Sequence, residues 1–189
     1  MVIVRVGGCV SLRAYDGCCR DAGYRRDYGR NPYTNYDSRA PFLFTGEIDD
    51  RLRATERVVG LELEGDVVAY PFSTTMMEGA INDRVGETPI VIFHKPGTAS
   101  ALGASQISAA EDIGSAAVFD RRSGDRTLTF SPNDDGTFRD AETGSTWNIL
   151  GEAVAGELAG EQLTPVLSFD HFWFAWQAFF PETELFAIQ

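Results

Sequence analysis

The stretch R-V-V-G-L-E-L-E-G-D-V-V-A-Y-P-F, residues 57 to 72, holds two runs rich in valine and leucine on either side of Glu64-Gly65-Asp66. β-branched and aromatic side chains suit a pleated, half-buried surface, and Gly-Asp at the break supplies a reversal, so the stretch reads as a β-hairpin. A second pair of runs, Gly79 to Val85 and Thr88 to His94, is joined through Gly86-Glu87 and has the same form, with Met76 and Met77 before it in a short helical turn. Two consecutive hairpins point to an antiparallel sheet.

Working outward, residues 98 to 114 are small residues without a strong period and read as a loop with one turn of helix. Beyond them the apolar runs resume as Ala116 to Asp120, Arg126 to Phe130, Thr137 to Asp140, Ser145 to Leu150 and a weaker Leu163 to Leu167, separated by Gly, Asn or Asp. Short strands at this spacing predict a mainly β (α+β) fold, a curved antiparallel sheet or partial barrel. The segment S-F-D-H-F-W-F-A-W-Q-A-F-F-P, 168 to 181, is the one strong helix candidate, with Ser168 or Asp170 as cap and Pro181 as stop. At 100° per residue Phe169, Phe172, Trp173, Trp176, Phe179 and Phe180 form one stripe, with His171 and Phe174 facing away, so this C-terminal aromatic helix is expected to pack the sheet. Leu185 to Ile188 reads as a last edge strand. Five of the six tyrosines fall in the first 36 residues, among Gly, Asp, Arg and Asn with no apolar period, and this part reads as an irregular arm. Residues 1–22 form a divergent N-terminal arm in this reading, and 23–189 a single β-rich domain.

At 189 residues and 43% hydrophobic content the chain supports one sizeable core. No run approaches the ~20 apolar residues of a membrane-spanning helix, which argues against membrane insertion. The start, M-V-I-V-R-V-G-G-C, is too short for a signal peptide, so the expectation is a cytoplasmic protein, or an exported one if the true start lies upstream. Net charge is −12, which disfavours nucleic acid as a partner, although residues 1 to 30 carry six arginines against three aspartates. Cys9, Cys18 and Cys19 are odd in number and two are adjacent, fitting neither a zinc knuckle nor a disulfide framework, so free thiols are expected.

Phosphate-loop, zinc-protease, nucleophile-elbow and dinucleotide motifs are absent. Ser131 to Glu142 matches a calcium loop at several positions but offers Ser131 where the first carboxylate belongs, so a β-turn over Asn133 to Gly136 is the better reading. With two histidines and three cysteines no metal set is indicated, and no cofactor or catalytic triad can be named. Binding residues collect where a strand opens into a loop, and P-I-V-I-F-H-K-P-G-T-A-S, 89 to 100, is such a place. His94 and Lys95, the chain's only lysine, stand there with Ser100 as a nearby hydroxyl. Asn82, Asp83, Asp120 and Arg121 complete the binding candidates as polar residues of the neighbouring strands.

Six blocks carry a family resemblance: Y-G-R-N-P-Y-T-N-Y-D; E-R-V-V-G-L-E-L-E-G-D-V-V-A-Y-P; I-N-D-R-V-G-E-T-P-I-V-I-F; A-V-F-D-R-R-S-G-D-R-T-L-T-F; T-G-S-T-W-N-I-L-G-E-A-V-A-G-E-L-A-G; and F-W-F-A-W-Q-A-F-F-P-E-T. In this order, over about residues 23 to 189, they resemble the family catalogued as domain of unknown function 3179. The resemblance implies no reaction. Many relatives carry C-P-x-C-G after the strand that corresponds to Pro89 to Phe93, where this chain has H-K-P-G-T-A-S, so no thiol or cysteine-metal role carries over. Three functions follow as expectations: a non-enzymatic module for a small ligand or metal; an enzyme with His94 or Asp83 as base, Lys95 as electrostatic partner and Ser100 as hydroxyl; and a packing partner with an exposed aromatic patch around Phe174 and the tyrosine arm.

Fifteen of the sixteen basic residues are arginine and acidic residues number 28, a balance that reads as salt adaptation. Like charges are screened over about 30 Å at 0.01 M salt and about 3 Å at 1 M. The thermal midpoint is therefore expected to rise from low to molar KCl; a flat profile would contradict the salt reading.

Overall fold

The computed structural model describes residues 29–41, 44–47 and 49–187. The expectations for Cys9, Cys18, Cys19, Tyr15, Tyr24 and Tyr28, and for Ile188 at the end of the last strand, lie outside the described residues. In chain order the elements are β1 (Arg57–Leu63), β2 (Asp66–Pro71), α1 (Phe72–Glu78), β3 (Ala80–Val85), β4 (Thr88–Lys95), β5 (Ser115–Asp120), β6 (Arg122–Ser123), β7 (Arg126–Thr127), β8 (Phe130–Pro132), β9 (Phe138–Asp140), β10 (Thr146–Trp147), β11 (Ala153–Ala155), β12 (Thr164–Pro165), β13 (Phe169–Phe172), α2 (Trp173–Phe179) and β14 (Glu184–Leu185). Three four-stranded sheets result, ordered β13-β1-β2-β14, β12-β5-β4-β3 and β11-β10-β9-β8, with β6 and β7 as a small ribbon. The fold is mainly β, and none of the described sheets closes into a barrel.

Both hairpins form as expected, and their turns show why. Glu64 (φ 57°) and Gly65 (φ 95°) both occupy the left-handed region, the signature of the type I′ turn whose twist matches the strands it joins. Glu64 adopts this backbone without being glycine, and its carboxylate is used. It accepts hydrogen bonds from the Glu87 N–H at 2.7 Å and the Thr88 hydroxyl at 3.1 Å, tying the first turn to the second. The Glu87 N–H, followed by the Thr88 hydroxyl, holds the Glu64 carboxyl below its usual range.

β4 is the central strand, buried at seven of its eight residues. Alternation sends Ile90 and Ile92 to a core with Val59, Leu61, Tyr70, Phe72, Ile81 and Val85. Val91 and Phe93 face the other way, into a core with Phe119, Leu128, Phe130, Phe138 and Trp147. Phe93 stacks on Phe138 with centroids 3.9 Å apart and planes 8° from parallel. Beneath this second core the fully buried Asp140 accepts hydrogen bonds from Trp147 Nε1 (2.9 Å), from the N–H and hydroxyl of Thr143 and from the Ser145 N–H. Burial pushes the Asp140 carboxyl up, but these donors outweigh it and hold it low, so the charge is paid for locally.

The C-terminal aromatic segment departs from expectation. Phe169 to Phe172 is not helix but a strand pairing with β1, from Gly60↔Phe169 to Arg57↔Phe172. An aromatic run fits a period of two as readily as 3.6, and the open edge of β1 offered ladder bonds that an isolated first helical turn lacks. Neither Ser168 nor Asp170 caps the helix. The first N–H groups of α2 are taken instead by main-chain carbonyls, Trp173 N–H to Glu56 O at 2.7 Å and Phe174 N–H to Ala54 O at 2.9 Å. Of the six-ring stripe only Trp173 and Trp176 are buried, joining Val58 and Ala69 in a third core, while Phe179 is 83% exposed. Trp176 explains the glycine in mid-β1: a Cβ on Gly60 would stand 2.4 Å from its ring. The later strands are shorter than their apolar runs, the run from Arg126 to Phe130 divides between β7 and β8, and β6 and β11 fall where no strand was expected.

Trp176→Ala is expected to leave a cavity and cost about 3–5 kcal/mol in denaturant unfolding. His171→Ala, which removes an exposed ring stacked 5.6 Å from Trp176, should cost below about 1 kcal/mol. Gly60→Ala should destabilise by about 1–3 kcal/mol, because the indole must move to admit the methyl. Equal effects of the Trp176 and His171 substitutions would contradict this packing.

Candidate functional site

His94 and Lys95 end β4, and the alternation that builds two cores also separates their side chains. His94 follows Ile90 and Ile92 toward α1. Its Nδ1 lies 3.0 Å from the Thr75 hydroxyl, and its ring meets Phe72 edge-on at 5.6 Å. The Thr75 hydroxyl donates its single proton to the Phe72 carbonyl at 3.1 Å. Nε2 is buried without a partner among the described residues, and a Cβ on Gly114 would fall 2.1 Å from it. His94 is 4% exposed. Burial pushes its pKa down, and the nearby Asp112 carboxylate only partly opposes the shift.

Asp112 organises the loop that covers His94. Its carboxylate accepts the main-chain N–H groups of Gly97 (2.8 Å), Thr98 (2.9 Å) and Gly114 (2.9 Å), and these bonds hold it below the usual range. Sequence reasoning overlooked this residue. The available signal was an aspartate two residues before a glycine, the pattern of a side chain bonding its own turn.

Lys95 follows Val91 and Phe93 to the opposite face, where a Cβ on Gly136 would approach its Cε at 2.9 Å. It forms no ion pair with the described residues. With His94 it lines a cleft of about 420 Å³ between the end of α1 (Met76, Met77, Glu78) and the β8–β9 turn (Asn133 to Thr137). The Asn133–Gly136 β-turn is present as expected, closed by the Gly136 N–H on the Asn133 carbonyl at 3.1 Å. Asp135 is held by the N–H and hydroxyl of Thr137, whereas the Glu78 and Asp134 side chains have no partner among the described residues.

The remaining candidates lie elsewhere. Ser100 is fully buried, donates to Asp37 at 2.6 Å, accepts from Arg57 at 3.4 Å and makes no hydrogen bond with His94. Asn82 bonds both main-chain groups of Phe130 through its amide, joining β3 to β8. Asp83 accepts the buried Tyr70 hydroxyl at 2.8 Å, and burial, followed by this carboxylate, pushes the Tyr70 phenol far above its ordinary value. Asp120 is clasped by Arg122, and Arg121 donates to the Leu128 carbonyl at 2.8 Å. Asp83 and Asp120 both pair with Ile90, four residues and about 13 Å along β4 from His94. The seven candidates thus do not converge on one place. Phe174, expected in an exposed patch, is half-buried against Phe44 and Phe172. Among the described residues no three His, Cys, Asp or Glu side chains converge to hold a metal.

Because the folded state lowers the His94 pKa, the unfolded chain takes up that proton first as pH falls below about 6.5. Stability is expected to fall from there down to the folded-state pKa and to lose nothing more from this group below it. A His94→Gln variant should show a shallower loss between pH 7.5 and 5 in urea titrations; equal slopes would contradict the assignment.

No helix of the described residues is long and apolar enough to cross a membrane. A search of curated proteins found no match, and a search of solved structures found none. A match to one family does extend through every element from β1 to α2, covering residues 18–183. The chain belongs to DUF3179, a family of proteins of unknown function.

Proposed function

We propose that the domain is a non-enzymatic binding module whose ligand is a small zwitterion with an apolar body, an amino carboxylate, seated in the Lys95 cleft. The observation that carries the reading is the pairing state of the cleft's charges. Lys95 forms no close ion pair among the described residues, its nearest electrostatic partner being Asp135, whose hydrogen bonds go to Thr137, while Glu78 and Asp134 have no partner there. A cation that no carboxylate reaches at ion-pair distance and two unpaired carboxylates on one cleft match a carboxylate and an ammonium on one ligand, and Met76, Met77 and Pro132 supply apolar wall. Net charge argues the same way, since a protein at −12 repels a simple anion but not a neutral zwitterion. The same charge disfavours nucleic acid. Ser100 is committed to Asp37 and Arg57, and the one hydroxyl that meets His94, that of Thr75, is 1% exposed and out of a ligand's reach, which favours binding over catalysis.

Calorimetry with leucine, 4-methylpentanoate and 3-methylbutylamine tests the reading, because the last two each lack one charge. Leucine is expected to bind at least about tenfold more tightly than either, and Lys95→Met to weaken it by about tenfold, a difference of about 1.4 kcal/mol. Asp120→Asn should leave it unchanged. Equal binding of all three compounds, or indifference to Lys95→Met, would overturn the proposal.

A further inference from the structure

The 810 Å³ groove between the outer edge of β3 and the C-terminal segment Glu184 to Ala187 is, we propose, a docking site for an extended, basic peptide segment of a partner protein, which pairs with β3 as an added strand. Among the described residues β3 pairs only with β4, and β14 only with β2, so both strands border the groove as sheet edges. Hairpin geometry identifies which β3 groups are free. A two-residue turn makes its flanking residues a hydrogen-bonded pair, so Val85 and Thr88 bond each other, as do Asp83 with Ile90 and Ile81 with Ile92. The His94 N–H on the Gly79 carbonyl, at 2.8 Å, continues the same parity. Ala80, Asn82 and Arg84 therefore turn their main-chain groups away from β4. The Arg84 N–H is taken by the Asp83 carboxylate at 2.8 Å, but the N–H groups of Ala80 and Asn82 and the carbonyls of all three have no partner among the described residues. Such a row is a template for strand addition.

Side chains specify the visitor. Val68, Ile81, Leu185 and Phe186 give the groove an apolar floor, suited to every second residue of a strand. Glu78, Asp83 and Glu184 border it against Arg84 alone, whose guanidinium is turned to the Glu87 carbonyl at 3.3 Å. Three carboxylates favour lysine or arginine at the alternate positions and disfavour a second copy of this acidic chain. The groove and the Lys95 cleft share only Glu78 at their border, and Glu184, on the far side of the groove, belongs to the groove and not to the cleft.

A fluorescein-labelled octapeptide of alternating valine and lysine is the probe, with two controls: the same peptide carrying prolines at two central positions, and a valine–glutamate version. By fluorescence anisotropy the valine–lysine peptide should bind at least about tenfold more tightly than the proline control, which cannot complete a ladder, and the glutamate version should not bind. Glu184→Lys, an exposed change at the strand edge, should weaken binding about tenfold, and bound peptide should slow hydrogen exchange of the Asn82 amide. Equal binding of the proline control, or unchanged exchange at Asn82, would reduce the effect to general charge attraction and overturn the proposal. Loss of binding through self-association of the protein along β3, seen as a dimer in sedimentation, would also overturn it.

Discussion

Burial of β4 on both faces is the constraint from which the rest of the structure follows. A strand covered on one side needs one partner layer; T-P-I-V-I-F-H-K needs two. The β1–β2 hairpin with α1 covers Ile90 and Ile92, and the β8–β11 sheet covers Val91 and Phe93. Each layer is too small to hold a core alone, since the strands of the second sheet are only two or three residues long. They persist because Phe130, Phe138 and Trp147 close around Phe93, and because the one carboxylate buried with them, Asp140, is saturated with donors.

The sequence was most informative where structure is local. Both hairpins could be read because turn chemistry and strand propensity act over a few residues, and both agree with the sheet finally built. The aromatic tail misled because its pattern is degenerate. W-F-A-W forms a helix and F-D-H-F a strand, and the choice depends on a vacant edge of β1 more than a hundred residues away in the chain. Gly60 carries the complementary half of that information, but a lone glycine in a strand does not name the tryptophan that requires it.

The candidate site shows the same division. Adjacency in sequence made His94 and Lys95 look like one site, yet the pleat turns the His94 ring under α1 and the Lys95 side chain to the opposite face, so they meet the same cleft from different sides. Ser100 looked available on the same loop and is instead buried against Asp37 and Arg57, partners that no spacing rule connects to it. Asp112, which bonds three main-chain amides, was legible only as a turn residue. Where a side chain points depends on strand register, and register is fixed by long-range packing.

The Glu64 latch bears on how the chain reaches this state. The two hairpins involve only near neighbours and can form early and separately, whereas docking them requires closing a longer loop. A single carboxylate at one turn, reaching the Glu87 amide and the Thr88 hydroxyl of the other, fixes their mutual alignment at the tips. Two local reversals are thus coupled through one surface side chain, and protonating that carboxylate would loosen their mutual alignment.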